Sequence, residues 1–548
     1  MLLHYIKLKG MTIFSHYGII YTYRKEHRRL DNMRLITKLV KAVTSRAFVV
    51  GVLILAQLIF TGMFFFLINT YVVYIQIASW ILATVLILDL FNKRGSPSTK
   101  LPWVLILAVI PVFGVPFYIF CGNTDLNNRY KKSLAQSIKQ TETLHIQDEN
   151  VAKRLKEKNI TRYREADFIY RTTKMPVHKN TKITYFSSGE KVWEMMLEKL
   201  KEAKHFIFIE FFIVEEGKMW NSILDILKEK VNAGVEVRFM YDDWGCIQTL
   251  PFGYENQLIK MGIDCVVFNP FNPILTIGHN YRDHRKICVV DGYIGFTGGI
   301  NLADEYINEK VRFGHWKDSA IMLEGEAVWN QTISFLENWD YTKKIHSDFA
   351  KYSPHVYHPG TFESNTDGYV VPFADNPLDN ELVCQGVYLN LINNATNYIY
   401  ITTPYLVTDN ELATAICLAA KRGVDVRIIT PGIPDKWYVY LMTRAYYQEF
   451  IEAGVRIFEY SPGFMHSKNI LSDDKVAVCG TINMDYRSLY HNFECACWMY
   501  EGEAISQMKH DFDETFLISN QITLEWCKNR SLFIRVMQSI FRVFSPLL

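Results

Sequence analysis

The sequence lacks any Cys-x-x-Cys pair, and its ten cysteines are scattered over 548 residues with no repeated spacing. That excludes a zinc ribbon and a disulfide scaffold. So many unpaired thiols fit a reducing compartment. The chain also lacks a charge excess: 59 Lys+Arg against 57 Asp+Glu leave +2. This excludes a generally basic nucleic-acid coat and an acidic solvating protein, so no nucleic-acid partner is expected. Apolar residues are not scarce. At 49% hydrophobic and 21% charged, the chain is no disordered polymer, and its length suits three or four domain-sized units.

What is present begins with apolar runs. Ala47 to Leu67 is 21 residues without a charge, and Tyr71 to Leu88 is a second such run before Asp89. At 1.5 Å per residue each reaches across a hydrocarbon core of roughly 30 Å. Separated by a few residues, they read as a membrane hairpin with spans near 47–67 and 71–91. A third run, Leu101 to Phe120, carries Pro102, Pro111, Pro116 and Gly114. It reads as a kinked span, or as a re-entrant or interfacial segment. Residues 1–46 carry ten Lys/Arg, and further cations stand at Lys93, Arg94, Lys100, Arg129, Lys131 and Lys132. The positive-inside rule puts these segments on one side, the cytoplasmic one. Two spans and a non-spanning third segment satisfy that; three spans do not. The expected order is a basic leader (1–46, with Met33 an alternative start), an anchor (47–122) and a charged helical connector (123–183). The rest reads as a soluble body.

The body is duplicated. Ala203-Lys-His-Phe-Ile-Phe-Ile-Glu210, a helical pattern, then Ala233-Gly-Val-Glu-Val-Arg-Phe-Met240 matches Ala395-Thr-Asn-Tyr-Ile-Tyr-Ile-Thr402, a helical pattern, then Arg422-Gly-Val-Asp-Val-Arg-Ile-Ile429. Each copy reads strand, helix, strand, with apolar runs suited to buried parallel strands. Two homologous α/β lobes follow, near 184–346 and 364–528, with a linker at 347–363. A ligand is expected at their interface, near the strand carboxyl ends.

Matching chemistry sits in both copies. His284-Arg-Lys286 with Asp291 and His466-Ser-Lys468 with Asp473 are both H-x-K-x₄-D, and Asn301 and Asn483 each stand 17 residues after their histidine. His and Lys two apart on a strand share a face. An imidazole beside an ammonium suits attack on a phosphate, with the lysine neutralising the non-bridging oxygens. The asparagine amides are candidate phosphate donors. One histidine can attack phosphorus while the other protonates the leaving alkoxide. An attacking imidazole needs its other nitrogen held by an acceptor. Asp318, 34 residues after His284, and Glu494, 28 after His466, are the candidates. Asp291 and Asp473 complete the candidate catalytic set, although by themselves they read as fixing the strand turn or pairing with basic neighbours. The lysines already supply positive charge, so no metal and no other cofactor is expected.

These motifs resemble the phospholipase D superfamily with its paired HKD motifs. The wider string is similar to the bacterial membrane-anchored cardiolipin synthases from about residue 47 onward. It includes Ile209-Glu-Phe-Phe-Ile213, Asn280-Tyr-Arg-Asp-His284, Thr403-Pro-Tyr405 and Ser461-Pro-Gly-Phe-Met-His466. The resemblance implies an α/β fold of duplicated phospholipase D-like lobes, mixed sheets sandwiched by helices, behind a transmembrane hairpin. It implies a phosphatidyltransferase in the bacterial plasma membrane, multi-pass, with cytoplasmic lobes. One phosphatidylglycerol would lose glycerol to form a phosphatidyl-histidine, which a second would attack to give cardiolipin. His284 is then the nucleophile and His466 the acid/base. A hydrolytic phospholipase D would share every catalytic residue, and a phosphatidylserine synthase would share the motifs. A purely structural membrane protein would not need both motifs intact. The expected partners are phosphatidylglycerol and membrane lipid, with a homo-oligomer open.

Glu210, at a predicted strand end, and Tyr405, at the equivalent point of the second half, are candidate headgroup contacts. Tyr446 and Tyr447 read as core. Asp242 and Asp243 read as capping or strand-end residues, since no further ligand follows. His205, His346 and His491 read as structural or surface residues. Asn529 to Leu548 is basic and apolar at once, with Phe533, Val536, Ile540 and Phe544 at helical spacing and Arg530, Arg535 and Arg542 between them. It reads either as an interfacial helix or as a helix packed on the second lobe.

Overall fold

A strand places alternate side chains on opposite faces, and the first half's strand Phe206–Phe211 uses both. Ile207 and Ile209 enter one core with the helices Gly189–Glu202 and Lys218–Asn232. Phe206 and Phe208 enter another core on the opposite face. The second half repeats this: Ile399 and Ile401 pack under the helices Val383–Asn394, Asn410–Lys421 and Trp437–Glu452, and Tyr400 faces the other way. The core that receives Phe206, Phe208 and Tyr400 is common to both halves. It also takes residues of one helix from each, Val328–Lys343 and Glu503–Leu517. The two lobes therefore share a hydrophobic interior, with the remaining helices outside.

This computed structural model describes residues 72–93, 96–122, 134–135, 137–139, 141–270, 281–358, 368–379 and 381–547, with isolated positions at 55, 59 and 62. The leader (1–46) lies outside the described residues, as does the expected first span near 47–67 apart from those positions.

The sheets are built alike. The first runs Thr181–Phe186, Ala320–Gly325, Ile294–Gly298, Ile287–Val290, Phe206–Phe211, Glu236–Asp242, Asp264–Phe268. The second runs Tyr369–Asp375, Asn492–Tyr500, Val476–Gly480, Asn469–Ser472, Tyr398–Thr402, Asp425–Pro431, Arg456–Tyr460, and adds an edge strand, Ser519–Gln521. In each, the strand–helix–strand unit is parallel (Ile207 opposite Val237; Ile399 opposite Val426) and the strand after the His-x-Lys motif pairs antiparallel to it. The sheets are mixed, as expected.

The motif aspartates hold this frame. Asp291 and Asp473 occupy left-handed backbone, φ 51° and 57°, in the turns that follow the motif strands. Asp291 accepts the N–H groups of Lys204, His205 and Phe206, each at 2.8 Å. Asp473 accepts those of Thr396, Asn397 and Tyr398 at 2.8–2.9 Å. Each carboxylate thus pins the hairpin to the start of the central strand. As members of the catalytic set they are corrected: they sit at the far end of the motif strand from the histidine and tie backbone.

The connector is also more than a link. Its helices Glu149–Lys158 and Ile160–Thr173 are capped by Asp148 and Asn159 and pack into the second lobe's core. Buried Glu165 accepts from Arg162 at 2.6 Å, Asn394 at 2.8 Å and the Trp498 indole at 3.2 Å.

The second apolar run is one helix, Val72–Asn92, long and apolar enough to cross a membrane. The third breaks at Ile110 into Pro97–Val109 and Pro111–Cys121, of 13 and 11 residues. At 1.5 Å rise neither reaches 30 Å. They fold back as a hairpin so tight that a Cβ on Gly114 would meet the Ile106 carbonyl at 2.6 Å. Ala83 and Leu90 of the long helix pack with Leu107, Val115 and Tyr118 of the pair.

Asp291 satisfies the buried Phe206 N–H, so its removal costs about 1–3 kcal/mol, whereas the N–H groups on Asp473 are exposed or half-buried and water replaces it at smaller cost. Asp291→Ala and Asp473→Ala are therefore expected to lower thermal stability in detergent while the folded fraction keeps its activity. Backbone N–H donors hold the Asp473 carboxyl below its usual range. Its contribution is present above the unfolded pKa and is lost as pH falls through the folded one. Loss of activity at unchanged stability would contradict this assignment.

Candidate active site

The two halves meet through short parallel strand pairs. Arg282–Asp283 pairs with Asn492–Phe493, and the His284 N–H donates to the Phe493 carbonyl at 2.9 Å. In mirror fashion Gly463–Met465 pairs with His315–Lys317, and the His466 N–H donates to the Lys317 carbonyl at 2.7 Å. Each histidine is therefore carried to the other half, one residue short of that half's acid.

The acids complete the crossing. His284 Nδ1 lies 2.9 and 3.0 Å from the two oxygens of Glu494. His466 Nδ1 lies 2.7 Å from Asp318 Oδ2. Each expected carboxylate does hold an imidazole, but the one belonging to the opposite half. The carboxylates are themselves fixed. Glu494 accepts from Asn492 at 3.1 Å and from the Thr481 hydroxyl, and Asp318 accepts the Ser319 N–H at 2.8 Å. Gly299 is required here, because a Cβ would stand 2.1 Å from Asp318 Oδ1.

With Nδ1–H given to a carboxylate, Nε2 is left as the basic nitrogen. Aromatic edges frame both rings: Phe212 stands T-shaped to His284 at 5.1 Å, and Tyr306 T-shaped to His466 at 5.3 Å with Trp316 at 5.2 Å.

Lys286 and Lys468 are each 1% exposed. Lys286 donates to the His284 carbonyl at 2.7 Å, and Lys468 to that of His466. Burial is the largest effect on all four basic groups. It lowers His284 to about 4, with Glu494 opposing, and His466 to about 3, with Lys468 adding. It lowers Lys286 to about 8 and Lys468 to about 7, against the pull of the buried acids. Lys468 feels Lys286, and His284 feels Lys468, so the four groups form one electrostatic cluster. The histidines and lysines beside them hold Glu494 and Asp318 below the usual carboxylate range despite burial. Near neutral pH the resting site thus holds two neutral imidazoles, two carboxylates and two lysines poised to lose a proton. An arriving anion favours every protonated base in it.

Other expected residues fall differently. Asn301 accepts the Ile213 N–H at 3.1 Å and donates to the Tyr306 hydroxyl at 2.6 Å, so it positions the ring that flanks His466. Asn483 donates to Asp485 at 3.0 Å. Both amides are already engaged with the protein. Glu210 is corrected as a headgroup contact. It is fully buried, 2.7 Å from Arg285 Nη2 and 2.9 Å from Asn338 Nδ2. Arg285 also reaches Asp283 at 3.2 Å and lies over the Phe493 ring at 5.6 Å. Burial and the neighbouring Asp283 push Glu210 well above the usual range. The strand end is covered, not solvated, because the helix carrying Asn338 packs over it.

Tyr405 is half-buried; its hydroxyl donates to Asp435 and its ring packs near Phe464, which lies against His466. Asp242 caps Gly245 and accepts the Asp283 N–H at 2.9 Å, the capping reading. The Arg285 cluster was not found in sequence. The one signal was an arginine between the motif His and Lys, where the second half has Ser467. Among the described residues no group of three or more His, Cys, Asp and Glu could hold a metal ion.

The lowered lysines give a testable sign. Above pH about 7–8 the resting site loses positive charge. The Kd of a monoanionic phosphodiester, followed by NMR, is expected to rise about tenfold between pH 6 and 9. A flat affinity across that range would contradict the assignment.

Comparison with known proteins adds lineage to this geometry. A family model described as "Cardiolipin synthase, PLD-like domain" matches residues 196–328 and again 388–516, and one described as "Phospholipase_D-nuclease N-terminal" matches 81–123. A Streptococcus mutans protein is 43% identical over 84% of this chain and 99% of its own. A cardiolipin synthase of Alkalihalophilus pseudofirmus is 34% identical over 84% of this chain and 91% of its own. Among solved structures, the phosphatidylserine synthase of Haemophilus influenzae superposes with a TM-score of 0.51 at 16% identity, covering 67% of this chain and 93% of its own. That last likeness is one of fold. The duplicated match and the near full-length relatives place the chain in the cardiolipin synthase family of the phospholipase D superfamily.

Proposed function

We propose that this chain is a cardiolipin synthase that moves a phosphatidyl group from one phosphatidylglycerol to another. The observation that carries the reading is the pair of imidazoles, each with Nδ1 on a carboxylate of the other half and each followed by a buried lysine. A phosphodiester seated among them meets a nucleophile, an acid and two cations together. His284 Nε2 attacks phosphorus and the P–O bond to glycerol breaks. His466, protonated once the anion is bound, gives its proton to the departing alkoxide. The primary hydroxyl of a second phosphatidylglycerol then gives its proton back to His466 and attacks phosphorus. The P–N bond breaks, and cardiolipin leaves. Lys286 and Lys468 neutralise the non-bridging oxygens, where charge builds in both transition states. One phosphodiester replaces another, so the exchange needs no nucleotide. Displacement on histidine and then on lipid gives ping-pong kinetics. The choice of His284 as the attacking base follows the resemblance to the superfamily, since the two halves repeat the same strand order and motif.

The setting is the plasma membrane. Val72–Asn92 supplies a span, the proline-broken pair after it does not cross, and the lobes face the cytoplasm, where the flanking cations lie. Two-substrate lipid chemistry suits a site held at the bilayer.

The test is product analysis by mass spectrometry after incubation with phosphatidylglycerol alone. Cardiolipin plus glycerol is expected from the unsubstituted chain. His284→Ala and His466→Ala are each expected to lose at least about 10³-fold in rate. Phosphatidic acid as the sole lipid product would make the chain a hydrolase.

A further inference from the structure

The C-terminal helix Leu532–Phe544 is bound to the second lobe along one side only. On that side Gln538 is buried and donates to the Leu441 carbonyl at 3.2 Å. Phe541 stands edge-on to Trp437 at 5.8 Å, and Arg542 pairs with Glu449 at 2.8 Å. The opposite side is apolar and open. Leu532, Phe533, Val536 and Ile540 are 75%, 74%, 48% and 49% exposed. At 100° per residue these four fall within a single arc of the helix. Exposed Arg535 stands outside it. Folding alone does not account for such a row, because a lobe-packed helix has no reason to turn four large apolar side chains outward.

The neighbours indicate what covers it. The helix touches Pro97–Val109 of the apolar hairpin, and so does the turn Ser545–Leu547 that ends it. The hairpin shares a core with the long apolar helix Val72–Asn92. It shows open apolar side chains of its own, Leu101, Val109, Ile110 and Phe113. The exposed row therefore continues a surface that starts at the candidate span. Charge agrees. From Trp526 to Leu548 there is no acidic residue, against Lys528, Arg530, Arg535 and Arg542. An apolar arc flanked by cations fits the boundary of an anionic bilayer.

We infer that Leu532–Phe544 is a second, interfacial membrane contact, lying on the bilayer with Leu532, Phe533, Val536 and Ile540 in the acyl boundary. The partner is anionic phospholipid. The contact holds the second lobe down at a point distant in sequence from the anchor. The turn Ser545–Leu547 also abuts Tyr486–Tyr490, which starts three residues after Asn483. The buried turn thus joins the lipid-facing helix to a segment next to the site.

The test uses the full chain in vesicles of phosphatidylglycerol and phosphatidylcholine, with Phe533→Cys, Val536→Cys or Arg535→Cys carrying an environment-sensitive fluorophore. The unsubstituted chain sets the labelling background. Doxyl-labelled lipid is expected to quench the probes at 533 and 536 at least about twofold more than the probe at 535. Equal, water-like probes at all three positions would overturn the inference. So would probes shielded without lipid quenching and dependent on protein concentration, which would mean a second copy covers the row. The readout needs no turnover, so it stands or falls separately from the synthase reading. As a second arm, Phe533→Asp with Val536→Asp is expected to slow turnover on vesicles about fivefold and leave turnover in detergent micelles unchanged. Equal loss in both would overturn it.

Discussion

Two ammonium groups buried beside two imidazoles are the constraint on which this structure depends. Charge taken out of water must be paired or it is neutralised. Lys286 and Lys468 each donate to the carbonyl of their motif histidine and feel the charge of Glu494 and Asp318, the acids that also hold the imidazoles. Because each acid serves the histidine of the opposite half, neither half carries a finished site. The crossed strand pairs Arg282–Asp283 with Asn492–Phe493 and Gly463–Met465 with His315–Lys317 are what this demands of the backbone. The shared core around Phe208, Tyr400 and the two inner helices is what it demands of the packing. The site then balances two positive against two negative groups until an anionic phosphate arrives and tips it toward the protonated bases.

The spacing shared by the two motifs separates chemistry from scaffolding. His284 and Lys286, two apart, reach the site, while Asp291, five further on, lies at the other end of the same strand. There it caps the strand start through three backbone N–H groups. The second half repeats the arrangement with Asp473. Asn301, which follows the first motif, does similar work beside His466 by holding Tyr306.

The duplicated strand–helix–strand units were legible because buried parallel strands write uninterrupted apolar runs, and two copies of Ile-Phe-Ile or Ile-Tyr-Ile reinforce each other. The motif residues were legible because chemistry fixes their types and spacing. The crossing of the acids was not. Glu494 is 210 residues from His284 and Asp318 is 148 from His466, and only tertiary packing joins them. The similar offsets of the two acids named them as candidates but did not say which histidine each serves. Glu210 misled for a related reason: a carboxylate at a strand end reads as solvated unless the covering helix and its Asn338 are known. The connector's membership of the second lobe was hidden in the same way, since its amphipathic pattern shows that it packs but not on what. The C-terminal segment read as either interfacial or lobe-packed; one side of its helix packs on the second lobe and the apolar side is left open.

The crossed assembly is the central claim, and its most direct measurement is the covalent adduct. Acid quench of a single turnover with phosphatidylglycerol, followed by peptide mapping, is expected to find the phosphatidyl group on His284. Glu494→Gln is expected to slow its loading by about 10²-fold or more, although the substitution lies in the other half of the chain. Loading of His284 at the unsubstituted rate in Glu494→Gln would contradict the account.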